Sequence, residues 1–316
     1  MSTNAVAAPA KRKRRYERTT GRVPLQVTDR DAAIILAVGR HRFLNSRHVQ
    51  ALVLSSEDKI LRRLEGLYHA GYLDRPRAQL DAYTRTGSKP MVYALANKGA
   101  ALLNERFATT IPDVDWFHKN QSVGRPFVEH TLAIADAHIA LTVSTRARPE
   151  IELIDAAALI AAFPTPPVSA DRAFLWKTVV RRNDLLEPVS VNADYAFALR
   201  SPTISRRCYL VEADRGTMPV VRANLKRTSL ARKFEGYIAG YAAQLHERQF
   251  GWKAFRVLLI TNSSERAENA RAALCNLTRA TNIRALFYFT HTDALAAGDV
   301  LALEWIDGNG QPQTLI

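Results

Sequence analysis

From Thr28 to Leu103, apolar residues recur first at helical and then at strand spacing. Thr28 followed by Asp31 marks a capped helix start, with Ile34, Ile35 and Val38 on one face. After Phe43-Leu44, Asn45 or Ser46 caps a second short helix carrying Val49, Leu52 and Val53. Ser55-Ser-Glu-Asp58 opens a third, whose stripe is Ile60, Leu61, Leu64, Leu67 and Tyr68 and whose end is Gly71. Tyr72 to Arg75, a polar loop with Gly87 and Pro90, and Met91 to Leu95 predict a hairpin, and Asn97 starts a further helix. Beyond Val123 the pattern changes. Phe127–Leu141 is helical by period, and Ile151–Ile154 reads as a short strand. The stretch around Phe163-Pro-Thr-Pro-Pro167 is irregular, and Val189–Phe197 and Cys208–Asp214 alternate like half-buried strands. Helices are expected over 230–245 and 265–277, and strands buried on both faces over 254–261 and 283–289.

The alternating segments carry the candidate chemistry. Glu212 and Asp214 lie two residues apart and share a face; Asp194 falls on the face opposite Val189, Val191, Tyr195 and Phe197. If the two strands are neighbours, three carboxylates meet, and their repulsion calls for a cation such as Mg2+. The remainder of the chain is basic: net charge is +14 over 316 residues, with a pI near 10.1. That balance makes nucleic acid the leading partner class. No apolar run suits a membrane span and no signal-peptide core leads the sequence, so a cytoplasmic, membrane-free protein is expected. Two cysteines, Cys208 and Cys275, exclude a disulfide scaffold and a cysteine-rich zinc site. Lys11, Arg12, Lys13, Arg14 and Arg15 end a tail over residues 1–22, either a solvated block or an arm along phosphates.

The length suggests two domains. In the first, over 23–107, three helices, a hairpin with a basic tip and a following helix resemble winged helix-turn-helix regulators. The resemblance implies that the third helix enters the major groove of duplex DNA. Lys59, Arg62, Arg63 and His69 occupy outward positions of that helix, and Arg75, Arg77, Arg85 and Lys89 the wing. Some winged helices bind proteins instead, which leaves a protein-interaction adaptor as one reading. A linker over 108–122 follows.

The second domain, over 123–316 with an irregular insertion at 156–188, orders its elements as helix, three strands, helix, strand, helix, strand. This is an α/β arrangement with a mixed sheet, and it resembles the PD-(D/E)XK nuclease-like fold. In that comparison Asp194 and Glu212 match the two strand acids, and Glu129 matches a carboxylate on the opening helix; with Asp214 they form the implied metal set. The nuclease pattern keeps a lysine two residues after the second acid, where this chain has Asp214. Lys226 and Lys233 are the candidates to replace it, and Asp194, Glu212 and Lys233 would then be catalytic. The alternative is structural: Asp214 pairs with Arg215 or Arg222, Glu212 is a rim residue and Asp194 caps a bend. His130 and His138 lack cysteine partners for zinc, and Gly236 and Gly240 suit close helix packing.

Both halves together resemble the replication-relaxation family of plasmids and integrative elements. The stretches that carry this are Asn192–Phe197, Leu210–Thr217, Lys233 with Tyr237, Phe255–Thr261 and Asn262–Arg266. The family implies a role in replication, relaxation or mobilisation of plasmid-like DNA, with duplex DNA, replication or conjugation proteins and a second copy of the chain as partners. A DNA-binding protein and a metal-dependent nickase both fit that role.

Overall fold

The computed structural model describes residues 15–19, 25–79, 89–107, 111–182, 185–222 and 227–316. Lys11, Arg12, Lys13, Arg14, Arg85 and Lys226, named above, lie outside the described residues. Contacts divide the chain into two units, Met1–Thr131 and Leu132–Ile316. Among the described residues no helix is long and apolar enough to cross a membrane.

The first unit begins with α1 (Asp29–His41), which has the capping box its sequence announces. Asp31 donates its backbone N–H to Thr28 Oγ1 at 3.3 Å, and the Asp31 carboxylate accepts the Thr28 backbone N–H at 2.8 Å. Next come β1 (Phe43–Asn45), α2 (Ser46–Val53) and α3 (Glu57–Ala70). Asn45 caps α2, and α3 stops where Gly71 takes a left-handed φ of 85° that a side chain would oppose. Two further strands, β2 (Leu73–Asp74) and β3 (Val92–Leu95), join β1 in an antiparallel sheet of order β1-β3-β2. Then follow α4 (Asn97–Phe107) and α5 (Trp116–Gln121). Ile34, Ile35, Val38, Leu64, Leu67 and Leu103 are buried in this unit.

Strand β1 was not foreseen, because three residues are too few to register an alternation. Helix α5 falls in the segment expected as a linker. Its Asn120 is fully buried, accepting from Arg42 at 2.7 Å and donating to the Leu95 carbonyl at 2.9 Å. That segment is therefore built onto the first unit.

The boundary between units falls inside α6 (Arg125–Arg146). Beyond it come β4 (Glu152–Ile154), α7 (Ala156–Ala161), β5 (Leu175–Arg182), β6 (Leu185–Asn192), β7 (Tyr195–Ser201) and β8 (Ile204–Asp214). The chain continues through α8 (Leu230–Ala242), α9 (Leu245–Phe250), β9 (Phe255–Thr261), α10 (Ser264–Leu277) and α11 (Thr281–Arg284). It ends with β10 (Phe287–His291), α12 (Thr292–Ala296), β11 (Trp305–Asp307) and β12 (Pro312–Gln313). Seven strands form one mixed sheet of order β12-β11-β10-β9-β8-β7-β4. Strands β8, β9 and β10 run parallel, while the β7–β8, β4–β7 and β10–β11 pairs are antiparallel. The α/β class with a mixed sheet is as expected.

The central strand β9 explains its own unbroken apolar sequence. Val257 and Leu259 enter one core with Leu230, Phe234 and Tyr237 of α8; Leu258 and Ile260 enter the other with Ala137 and Leu141 of α6. A strand covered on both faces has no polar face to alternate.

Three expectations are corrected. The segment 189–197 is not one strand: β6 ends at Asn192 and pairs with β5 in a separate hairpin, and β7 starts at Tyr195 within the main sheet. The alternation does not keep one face across the break: Val189, Val191 and Ala193 face one core, and the bend at Asp194 shifts the parity, so that Ala196 and Ala198 return to that core while Tyr195 and Phe197 face the other. The region 156–188 is not wholly irregular, since it holds α7, β5 and the start of β6. The last buried strand begins at Phe287, not Ile283, because residues 281–284 form a helical turn.

Two glycines let α8 seat on the β5–β6 hairpin. A Cβ at Gly236 would lie 2.1 Å from Val191 Cγ2, and one at Gly240 2.5 Å from the Trp176 ring. Gly236→Ala is expected to destabilise the protein by about 2 kcal/mol, despite alanine's better helix propensity. The urea unfolding midpoint measures this, and an unchanged midpoint would contradict the packing described.

Candidate functional site

The C-terminal end of β8 brings acids and bases together. Glu212 and Asp214 share a face, as the alternation predicts, but Glu212 is no rim residue: only 2% of it is exposed. Helix α8, capped by Ser229 through its hydroxyl, presents Lys233 and Tyr237 one turn apart on the side facing the strand. Lys233 Nζ donates to Glu212 Oε2, and the Tyr237 hydroxyl donates to Oε1. Both oxygens of a buried carboxylate are thus held by donors from a single helix.

Asp194 occupies the bend between β6 and β7 and is clamped to β8 on both sides of its backbone. Its N–H donates to the Val211 carbonyl at 3.0 Å, and its Oδ2 accepts the Ala213 N–H at 2.9 Å. The carboxylate thereby lies beside Glu212, close enough that its charge pushes the Glu212 carboxyl up. Asp214 is engaged from the opposite side by Arg266, in the first turn of α10. The guanidinium forks onto both carboxylate oxygens, through Nε to Oδ2 and through Nη2 to Oδ1 at 3.1 Å, and also donates to the Met218 carbonyl. Asp214 is thus paired with Arg266, and Arg222 Nε instead donates to the Thr228 carbonyl at 2.9 Å.

Burial dominates the electrostatics. It pushes the Glu212 carboxyl up to about 7, against the pull of the Lys233 ammonium and with the push of Asp194. Burial alone would lower Lys233, but Glu212 and Asp194 outweigh it and hold the ammonium above its ordinary range. Tyr237, buried and facing the same negative charge, is raised well above the usual phenol value and stays a donor.

The remaining acid from the expected metal set, Glu129, belongs to the first unit, where Arg125 donates to it at 2.7 Å. Among the described residues no three His, Cys, Asp or Glu side chains gather into a ligand set. The His138 ring lies against Tyr195, centroids 4.8 Å apart, which is a packing contact. Arg266 carried no assigned role in the sequence, although it ends one of the family-like stretches. A Ser cap followed by an arginine in the first helical turn was the available signal. It is a weak one, because the partner Asp214 lies 52 positions away.

In the first unit the basic candidates separate into two groups. Lys59 and Arg62 on α3 are exposed, as are Arg15, Arg77 and Lys89. Arg63 is committed inward: its guanidinium grips the fully buried Asp31 at the start of α1, with Nε to Oδ1 at 2.7 Å. Arg75 lies over the Tyr68 ring at 4.2 Å and donates to the Tyr93 hydroxyl at 3.2 Å and the Arg15 carbonyl at 2.7 Å. His69 Nδ1 accepts the Thr19 N–H at 3.0 Å. Arg63, Arg75 and His69 hold the unit together, and sequence alone could not separate them from their exposed neighbours.

An α/β chain in two units, with a buried acid–lysine–tyrosine cluster at the end of a central strand, is the class these observations define. The profile of the replication-relaxation family matches residues 36–253, more than two thirds of the chain, and the protein belongs to that family. The match takes in Asp194, Glu212, Lys233 and Tyr237 and stops before Arg266. No curated protein and no solved structure matches the chain.

A carboxyl raised from 4.5 to about 7 on folding favours the folded state when protonated. Its contribution is fully present below about 4.5 and is lost as pH climbs through about 7. The stability of the wild type relative to Glu212→Gln is therefore expected to fall with rising pH across that window, by on the order of 3 kcal/mol. Urea titrations of both proteins at pH 4 to 8 measure the difference. A gap that stays constant would contradict the burial-driven shift.

Proposed function

We propose that this protein binds DNA of a plasmid or integrative element and acts in its replication, relaxation or mobilisation, or in their regulation. The first unit is read as a winged helix-turn-helix, with α3 entering the major groove and the β2–β3 connection as the wing. The observation that carries this reading is the division of labour on α3. Arg63 is consumed by Asp31, while Lys59 and Arg62, nearly one turn apart, remain exposed. Arg77 and Lys89, also exposed, flank the β2–β3 connection. Glu57 and Asp58 open α3 and repel phosphate, which confines favourable contacts to Lys59 and beyond. The net charge of +14 and the family membership support the same partner. Duplex DNA is the primary ligand in this reading, with replication or conjugation proteins and a second copy of the chain as further partners.

Lys59→Ala with Arg62→Ala is expected to weaken duplex binding about tenfold or more near physiological salt. It should also flatten the slope of log K against log salt by roughly 2. Titration of a labelled duplex at several salt concentrations measures both. Unchanged affinity and slope would count against α3 as the DNA-reading element.

A second reading, a Mg2+-dependent nickase on a PD-(D/E)XK-like second unit, is favoured by Lys233. The nuclease lysine is absent at position 214, and Lys233 arrives at Glu212 from α8 instead. Mg2+ is commonly held by one or two carboxylates together with substrate phosphates, and Asp194 and Glu212 are a pair of that kind. Asp214 and Glu129, engaged by Arg266 and Arg125, fall outside it. A bound Mg2+ would supply an acidified water and charge neutralisation at the phosphate. Tyr237 holds one Glu212 oxygen in place, and Lys233 keeps a positive charge at the other. This reading expects plasmid nicking with Mg2+ or Mn2+ that EDTA and Glu212→Ala abolish. Plasmid that shifts on a gel yet stays intact leaves DNA binding alone.

A further inference from the structure

The ends of β8 and β9 opposite the Glu212 cluster form a cleft of about 740 Å3. Arg206 and Arg207 of β8, Lys253 just before β9 and Arg256 on β9 line it, with Tyr288 of β10 and Thr314. Among the described residues no Asp or Glu side chain lines it; Gln313 and Ile316 complete its rim. Elsewhere in this unit several cations are matched, Arg148 with Asp299, Arg200 with Glu152, Arg232 with Glu187, Lys233 with Glu212, Arg266 with Asp214 and Arg271 with Glu268, while Arg222, Arg248 and Arg284 bond backbone carbonyls. Among the described residues none of the four cleft cations pairs with a carboxylate. Four like charges around one concavity repel one another, and an anionic ligand relieves that repulsion.

The cleft is rigidly built. Three of its four cations sit on paired strands of the central sheet, and Arg256 is steadied over the Tyr288 ring at 6.0 Å and by its bond to the Phe255 carbonyl at 3.0 Å. Its aromatic rings are not offered to a ligand: Tyr288 is 8% exposed, and Tyr209 is buried with its hydroxyl donating to the Leu315 carbonyl at 2.6 Å. Charge without a stacking surface selects a backbone and is indifferent to bases. The volume is that of a pocket that encloses a small group. A duplex, whose major groove alone is about 12 Å wide, is too broad to seat in it. From Cys208 to Asp214 the strand runs roughly 20 Å, so the cleft is separate from the acidic cluster.

We propose that this cleft holds the phosphodiester backbone of a single nucleic-acid strand, a contact distinct from duplex reading by α3; the proposal rests on the DNA-binding reading for the source of that strand. The test uses the full chain and two labelled probes, oligothymidine and a duplex, titrated by fluorescence anisotropy over a range of salt. Arg206→Glu with Lys253→Glu changes two exposed side chains. Arg206→Gln with Lys253→Gln is the milder version, for use if the first unfolds by circular dichroism. The cleft variant is expected to lose about tenfold or more affinity for oligothymidine, with a salt slope shallower by roughly 1.4, and much less affinity for duplex. Lys59→Ala with Arg62→Ala is expected to show the reverse preference. Unchanged oligothymidine binding in a folded cleft variant, while the α3 variant loses duplex, overturns the cleft proposal alone. Wild-type binding by both variants to both probes overturns it together with α3 as the DNA-reading element, and a wild-type protein that binds neither probe overturns the DNA-binding reading itself. Equal loss on both probes, or loss on duplex alone, overturns the assignment to one strand. Cleft-dependent binding to phosphatidylserine vesicles without oligothymidine binding overturns nucleic acid as the ligand.

Discussion

The second unit is organised around a charge that water cannot reach. Glu212 is 2% exposed, on a central strand, and its two oxygens are accounted for by Lys233 and Tyr237 of α8. Taking a carboxylate and an ammonium out of water costs several kcal/mol per ion, and their attraction offsets that only when geometry and hydrogen bonding are good. Removing Lys233 leaves Glu212 buried and uncompensated. The helix and the strand are therefore bound to each other by the cost of separating them. The opposite consequence also holds: a well-packed apolar pair would be at least as stable. A buried pair kept under those terms, with a carboxyl pushed up to about 7, marks the cluster as a functional candidate.

Other features follow from that anchor. With α8 fixed on β8, its glycine face meets the β5–β6 hairpin closely enough that a methyl group would clash. The bend at Asp194 clamps the start of β7 to the same strand, and Arg266 draws α10 onto Asp214. Cations from α8 and α10 thus meet acids at one end of β8, while among the described residues no Asp or Glu lines the cleft at the other end. The sheet is electrically polarised along its central strands, and each end suits a different contact with a polyanion.

Much of this was legible in the sequence where a local rule applied. The capping box at Thr28, the αL glycine after α3 and the unbroken apolar run of β9 each encode a structure in neighbouring residues. Lys233 was singled out in the sequence because it follows the acids on the next helix, and the fold brings it to Glu212. What escaped depended on contacts distant in sequence. Arg63 and Arg62 are adjacent and chemically alike, yet only the fold decides that one grips Asp31 and the other meets solvent. The bend at Asp194 hid behind an apolar alternation whose residues change cores across it, Val189 and Val191 facing one and Tyr195 and Phe197 the other. Arg266 lies 52 positions from its partner, beyond the reach of any spacing rule.

The double-mutant cycle of Glu212→Gln and Lys233→Met, read by urea unfolding at pH 8, tests the central claim most directly. Lys233→Met, which leaves the Glu212 carboxylate uncompensated, is expected to cost about 3 kcal/mol or more, and the double change much less than Lys233→Met alone. Additive costs would mean that the two residues do not depend on each other and that the second unit is held by apolar packing alone.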